Sequence, residues 1–183
     1  NSFEYFIFFF FFIEIYYVVP AKYRYIWLLI ASYYFYMQWN AKYIVLIFIS
    51  TIITYTCGIL LEKVKSSASD YNKKKIKDII MLICLLSNLS ILFFFKYANF
   101  TIDVINFANH YLGISRSFSY FDIILPVGIS FYTFQALGYT IDVYRDDIYA
   151  EKNFLKYALF VSFFPQLVAG PIERSKNLLV QLN

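Results

Sequence analysis

The residues of this chain that could do chemistry sit inside its most apolar stretches. Tyr132, Gln135, Tyr139 and Asp142 follow one another at intervals of three, four and three residues, so on a helix they share one face. Polar groups at bilayer depth are expensive, and a chain that keeps them is usually using them. Two uses fit the spacing. The strip can line a water-accessible cavity, or it can be the hydrogen-bond seam that packed membrane helices need. Asp142 and Arg145, three residues apart, could also pair at the end of the same helix.

A second constellation follows in Phe164-Pro165-Gln166-Leu167-Val168-Ala169-Gly170-Pro171-Ile172-Glu173-Arg174. Pro165 breaks an intrahelical hydrogen-bond ladder and Gly170-Pro171 stops a helix. Gln166 is therefore expected at membrane depth beside unpaired backbone groups. Irregular backbone survives there only inside protein or beside a water-filled cavity. Half-helix ends can also present N–H dipoles to an anionic or polar substrate group. The alternative is a re-entrant kink of purely architectural purpose, with Glu173 and Arg174 as interfacial charges. His110 is the single histidine and the natural general base at neutral pH. It falls on the polar side of an amphipathic segment with Asp103 and Asn106, and reads as a solvated interfacial residue. Glu14 is another charge inside an apolar run and either pairs with a basic neighbour or lines a cavity. No Ser–His–Asp set and no metal-ligand cluster can be assembled, so no metal site is expected. Cys57 and Cys84 lack CxxC spacing and read as small buried or lipid-facing residues.

The elements that must position these groups are membrane helices. The chain is 61% hydrophobic and 23% aromatic with a mean hydropathy of +0.58, against about 45–50% apolar in soluble domains. The net charge of +4 lies mainly in loops. With no Gly-rich phosphate loop and no basic–aromatic face, nucleic acid is not an expected partner. Apolar runs give candidate spans at 3–19, 25–39, 43–61, 79–95, 123–143 and 154–169, the last short or broken. Glu4 precedes the first run where a signal peptide would be basic, so that run reads as a retained helix. The expected fold is all-α: a polytopic integral membrane protein forming one membrane domain across residues 1–183.

Lys63, Lys65, Lys73, Lys74, Lys75 and Lys77 mark the 61–79 loop as cytoplasmic, and Lys22 and Arg24 mark the end of the first helix likewise. The N-terminus is then extracytoplasmic, the 38–42 and 96–122 connections fall outside and the 145–152 turn inside. Tyr97, Phe100, Val104, Ala108 and Tyr111 recur at helical spacing opposite Asn99, Asp103, Asn106 and His110. That predicts an amphipathic helix lying on the membrane surface, ended by Gly113. Pro126 is expected in the first turn of the helix after it, and Gly138 where a neighbouring helix approaches closely.

Three further stretches carry a resemblance: Phe94-Phe95-Lys96-Tyr97-Ala98-Asn99-Phe100, Leu125 to Gln135, and Ile141-Asp142-Val143-Tyr144-Arg145. With the Phe164–Arg174 stretch and the opening Lys22 to Ser32, they resemble the membrane-bound O-acyltransferases, in particular the alginate O-acetyltransferase branch. The resemblance implies the N-terminal part of a helical ring entered by a funnel from each face, with no bound cofactor. It implies a cytoplasmic acyl thioester donor, either acetyl-CoA or an acyl carrier protein. The acceptor it implies is a hydroxyl of an exported polysaccharide or cell-wall polymer, or an extracytoplasmic acyl-relay partner. The family's histidine base lies in a later segment, expected downstream of Asn183, and His110 does not match it. The expectation is thus an N-terminal fragment, with no catalytic residue of its own and no transferase activity alone, in a multi-pass cell-membrane enzyme. Lys96, Gln135, Asp142, Tyr144, Arg145, Gln166, Glu173 and Arg174 are its candidate channel-lining residues. A D-alanyl transferase acting on teichoic acid is the nearest rival. A transporter built from broken helices and a structural membrane subunit are the rivals from other classes.

Overall fold

A computed structural model describes residues 3–67, 70–114, 116–122, 125–170 and 175–182. They form eight α-helices and no strand. α1 (Phe3–Val18), α2 (Arg24–Asn40) and α3 (Ile44–Ser67) are joined by short 3-10 turns. After them come α4 (Asp70–Tyr111), α5 (Ile129–Tyr144), α6 (Phe154–Ser162), α7 (Phe164–Ala169) and α8 (Ser175–Leu182). The stretches Ala41–Lys65 and Asn72–Tyr111 are long and apolar enough to cross a membrane. Large apolar side chains such as Phe6, Phe10, Leu82, Leu86 and Phe93 are exposed along the helices, as surfaces that meet lipid require.

Lipid is as apolar as leucine, so these helices are held by close packing and hydrogen bonds. α3 and α4 are joined where Ser50 donates to Asn88 Oδ1 at 2.6 Å, both residues buried. α3 and α6 are joined where Tyr157 donates to Thr54 Oγ1 at 2.7 Å. α3 approaches α5 closely at Gly58, where a Cβ would lie 3.0 Å from the Tyr139 ring. The expected close approach at Gly138 is not found, since a Cβ there would meet nothing within 4 Å. Gly138 faces away from the packed side of α5, and the small residue that matters sits on the partner helix.

Two further expectations are corrected. The amphipathic segment is helical, but it continues α4 instead of forming a separate surface helix. The result is one helix of 42 residues, about 63 Å long. No Gly or Pro interrupts 70–111, so nothing breaks the ladder until Gly113. There the chain turns at φ +70, with Gly113 N–H donating to His110 and Ile114 N–H to Asn109. This is the paired 5→2 and 6→1 closure expected when glycine follows a helix. Pro126 precedes α5 and does not enter its first turn. It opens a tight turn closed by Ile129 N–H to its carbonyl at 3.3 Å, in which Gly128 takes φ 74 and caps the helix. Residues 123–124 of the candidate span lie outside the described residues.

The polar side of the far half of α4 carries an extended segment, 116–121, back toward α5. Asn99 donates to Phe121 O and accepts from Phe121 N, at 3.0 and 2.9 Å. Asn106 does the same with Phe118, at 3.0 and 2.8 Å. Asn109 adds a bond to Arg116 O, and Tyr120 donates to Asp103 at 2.6 Å. The apolar side, with Phe100, Val104, Phe107 and Tyr111, is exposed.

The connections group at the two ends of the bundle as the charge alternation anticipated. At one end Asp146 meets Lys65 and Lys77, Glu62 accepts from Ala150 N–H, and Lys156 lies over the Tyr25 ring. At the other, Tyr36 donates to Val127 O and Lys96 reaches Ser130.

Candidate functional site

The helical segment that begins at Phe154 does not cross the bundle. α6 is capped by Asn153, whose side chain accepts from Leu155 N–H and Lys156 N–H. It runs for nine residues, about 13.5 Å, and stops at Phe163, where ψ swings to 108°. α7 follows with Pro165 in its first turn, where a missing N–H costs nothing. By Ser175 the chain is back at the end it left. Ser175 hydroxyl donates to Asp142, near the end of α5, and Lys176 pairs with Asp147 at 3.7 Å. Segment 154–175 is therefore re-entrant. Gly170 is needed in the return, since a Cβ would fall 2.6 Å from the Gln166 Cα.

The break leaves orphan backbone groups, and two neighbouring helices satisfy them. Phe160 C=O would ordinarily accept from Phe164 N–H; here it accepts from Gln135 Nε2 of α5 at 2.6 Å. Phe164 N–H instead reaches Ser32 Oγ of α2 at 3.3 Å, while Ser32 donates to Leu28 O at 2.8 Å. The second Gln135 N–H donates to Gln166 Oε1 at 3.1 Å. Gln135 is 5% exposed and Ser32 is fully buried. Phe164 itself is enclosed by the rings of Phe8, Phe12 and Phe35 at 5.2 to 5.9 Å. The aromatic N-terminal helix thus has a definite task, closing the outside of the break.

Of the candidate residues among those described, only Gln135 and Gln166 are brought together at this central node. Asp142, Tyr144 and Arg145 sit at the end where α6 starts. Asp142 is bonded to Ser175 and forms no pair with the exposed Arg145. Tyr144 donates to Asp78 of α4 at 2.5 Å, and this bond to a carboxylate raises the pKa of its phenol. Close by, Asp146 adopts φ 63 and its carboxyl is held below the ordinary range, first by Lys77 and then by Lys65. Lys96 lies at the opposite end, 3.4 Å from Ser130. Glu173 and Arg174 fall outside the described residues. So does Asn183, the position beyond which the resemblance puts the histidine base. The placed candidates thus follow α5 over about 21 Å from Ser130 to Tyr144. His110 is exposed near the end of α4, about 21 Å of helix rise past Lys96 and away from the node. Glu14 is exposed on α1 and makes no ion pair among the described residues. Sequence reasoning missed Ser32 and Tyr36; their signal was a hydroxyl at each of two positions four apart in an apolar helix.

What the node can do chemically is limited by its members. Amides and hydroxyls orient a polar group and stabilise developing charge through donated hydrogen bonds. None of them is a base at neutral pH.

The chain is 39% identical over 172 residues to a protein of Pseudomonas syringae pv. tomato named "Probable alginate O-acetylase AlgI". That alignment covers 94% of this chain and 32% of the relative. Over most of its length the chain is thus similar to an alginate O-acetylase. A similarly named protein of Azotobacter vinelandii is 36% identical, over 94% of this chain and 33% of its own length. The Helicobacter pylori "Peptidoglycan O-acetyltransferase" is 31% identical, over 85% of this chain and 32% of its own. No family model matches the chain, and no solved structure does. The chain spans about a third of the length of those relatives, and the resemblance read from its motifs stands.

Proposed function

We propose that this chain is part of a membrane O-acyltransferase acting on an exported polysaccharide or cell-wall polymer. The observation that carries the reading is the likeness to O-acetylases along 94% of the chain. In the reaction, the acceptor hydroxyl oxygen attacks the carbonyl of an acyl thioester. The new ester C–O bond forms, the C–S bond breaks, and the hydroxyl proton ends on the departing thiol. Acetyl is favoured over D-alanyl because the relatives named above are acetylases. The donor is a thioester of coenzyme A or of a carrier protein, reaching the site from the lysine-rich end of the bundle. The acceptor, or a partner that relays the acyl group to it, works from the opposite face of the cell membrane.

Within this reading the α5 strip and the re-entrant segment form one wall of the passage between the two ends. Lys96, Gln135, Gln166, Asp142, Tyr144 and Arg145 mark its course, and Glu173 and Arg174 are assigned to it from the sequence. The general base comes from a segment of the full-length protein downstream of Asn183. The test is transfer of radiolabelled acetyl from coenzyme A or a loaded carrier to polymer, by the full-length protein in proteoliposomes. Label must appear as base-labile ester on the polymer. Failure with both donors, from protein shown to be folded, sinks the reading.

A further inference from the structure

Tyr132 is the loose end of the α5 seam. The residue is fully buried, and its hydroxyl is a buried polar atom with no hydrogen-bond partner among the described residues. The other buried tyrosines of the same core are engaged. Tyr36 donates to Val127 O at 3.0 Å, Tyr139 accepts from Glu151 N–H at 2.9 Å, and Tyr157 donates to Thr54. An unpaired buried hydroxyl is destabilising, a penalty that phenylalanine in the same place would avoid. Tyr132 belongs to the core cluster that also holds Tyr36, Ile129, Ala136 and Phe160. The position is informative too: Tyr132 lies one turn from Gln135 on the same face of α5, next to the level at which the re-entrant helix breaks.

We propose that the Tyr132 hydroxyl is a substrate-binding group, donating a hydrogen bond to a substrate oxygen held at the level of the α6–α7 break. The oxygen belongs to the acyl carbonyl of the thioester or to the acceptor hydroxyl. This rests on the acyltransferase reading above.

The test compares the wild type with Tyr132→Phe, full-length, for thermal unfolding and for acetyl transfer from acetyl-CoA or an acetyl-loaded carrier. The variant is expected to melt at or above the wild-type temperature, because it sheds an unpaired group. Its transfer is expected to fall about tenfold to a hundredfold, the effect of one hydrogen bond lost in a dry site. A raised KM for the thioester assigns the bond to the donor, and a raised KM for the polymer assigns it to the acceptor. Undiminished transfer by the variant overturns the proposal while leaving the transferase reading intact. A variant that melts below the wild type also overturns it, because the hydroxyl then has a partner within the protein. A wild type that transfers from neither donor removes the transferase reading and this assignment together.

Discussion

Two places in this molecule use side-chain amides to satisfy backbone that has left regular structure, and they do so in opposite surroundings. At the α6–α7 break, Gln135 is buried and caps the Phe160 carbonyl from a neighbouring helix. Along the far half of α4, Asn99 and Asn106 clasp Phe121 and Phe118 through paired N–H and C=O bonds at exposed positions. The second place makes more bonds to backbone per amide, two against one. The first is expected to matter more, because water can replace a lost partner at an exposed site and nothing can in a dry one. Counting bonds to backbone would rank the two regions the wrong way round.

The largest effect is expected from Gln135→Leu. It strands the Phe160 carbonyl and removes a partner of Gln166, at a cost of about 2–3 kcal/mol for buried groups left unpaired. Thermal melting in detergent should show it, with a parallel loss of acetyl transfer by the full-length protein. Asn106→Ala loses two bonds but should cost only about 0.5–1 kcal/mol, since the Phe118 backbone can turn to solvent. Its signature is faster hydrogen exchange of the Phe118 amide with little change in melting temperature. Should it destabilise as much as Gln135→Leu, the ranking by burial collapses.

The smallest effect belongs to Asp146, an exposed carboxylate between Lys65 and Lys77. Exposed pairs contribute about 0–1 kcal/mol after solvent screening. Because its carboxyl is held below the ordinary range, the stabilisation is fully present above the ordinary carboxylate pKa. It is lost as pH falls through the depressed folded value. Asp146→Asn tolerates the same left-handed backbone and should flatten that acid-side loss slightly while lowering stability a little at neutral pH. Melting curves between neutral and acidic pH would show the difference, and parallel curves would mean the lysines contribute nothing.

Much of the helix inventory was legible in the sequence. The apolar runs at 3–19, 25–39 and 43–61 correspond to α1, α2 and α3, because hydrophobic length is a local property. So is the stop at Gly113, and so is the break near Pro165, whose ring and missing N–H act wherever the residue is placed. The continuity of α4 was less legible. Lys96 and the change of pattern after it suggest a boundary, yet no residue there interrupts the ladder. The Gly138 expectation failed for a related reason: glycine shows where an approach is permitted, and only packing shows where it occurs.

By itself, then, the sequence determined an all-α membrane chain, its broken last segment, the strip on α5 and the motifs shared with O-acetylases. The tertiary structure alone decided that 154–175 returns to the end it left, and that Gln135 and Ser32 satisfy its break. It alone decided that Asn99 and Asn106 hold a strap, and that Tyr132 is left without a partner among the described residues. The reason is physical. Periodicity and chain breaking depend on neighbours a few residues away, whereas these pairings join positions 12 to 132 residues apart, and which donor meets which acceptor is fixed only once the helices have packed.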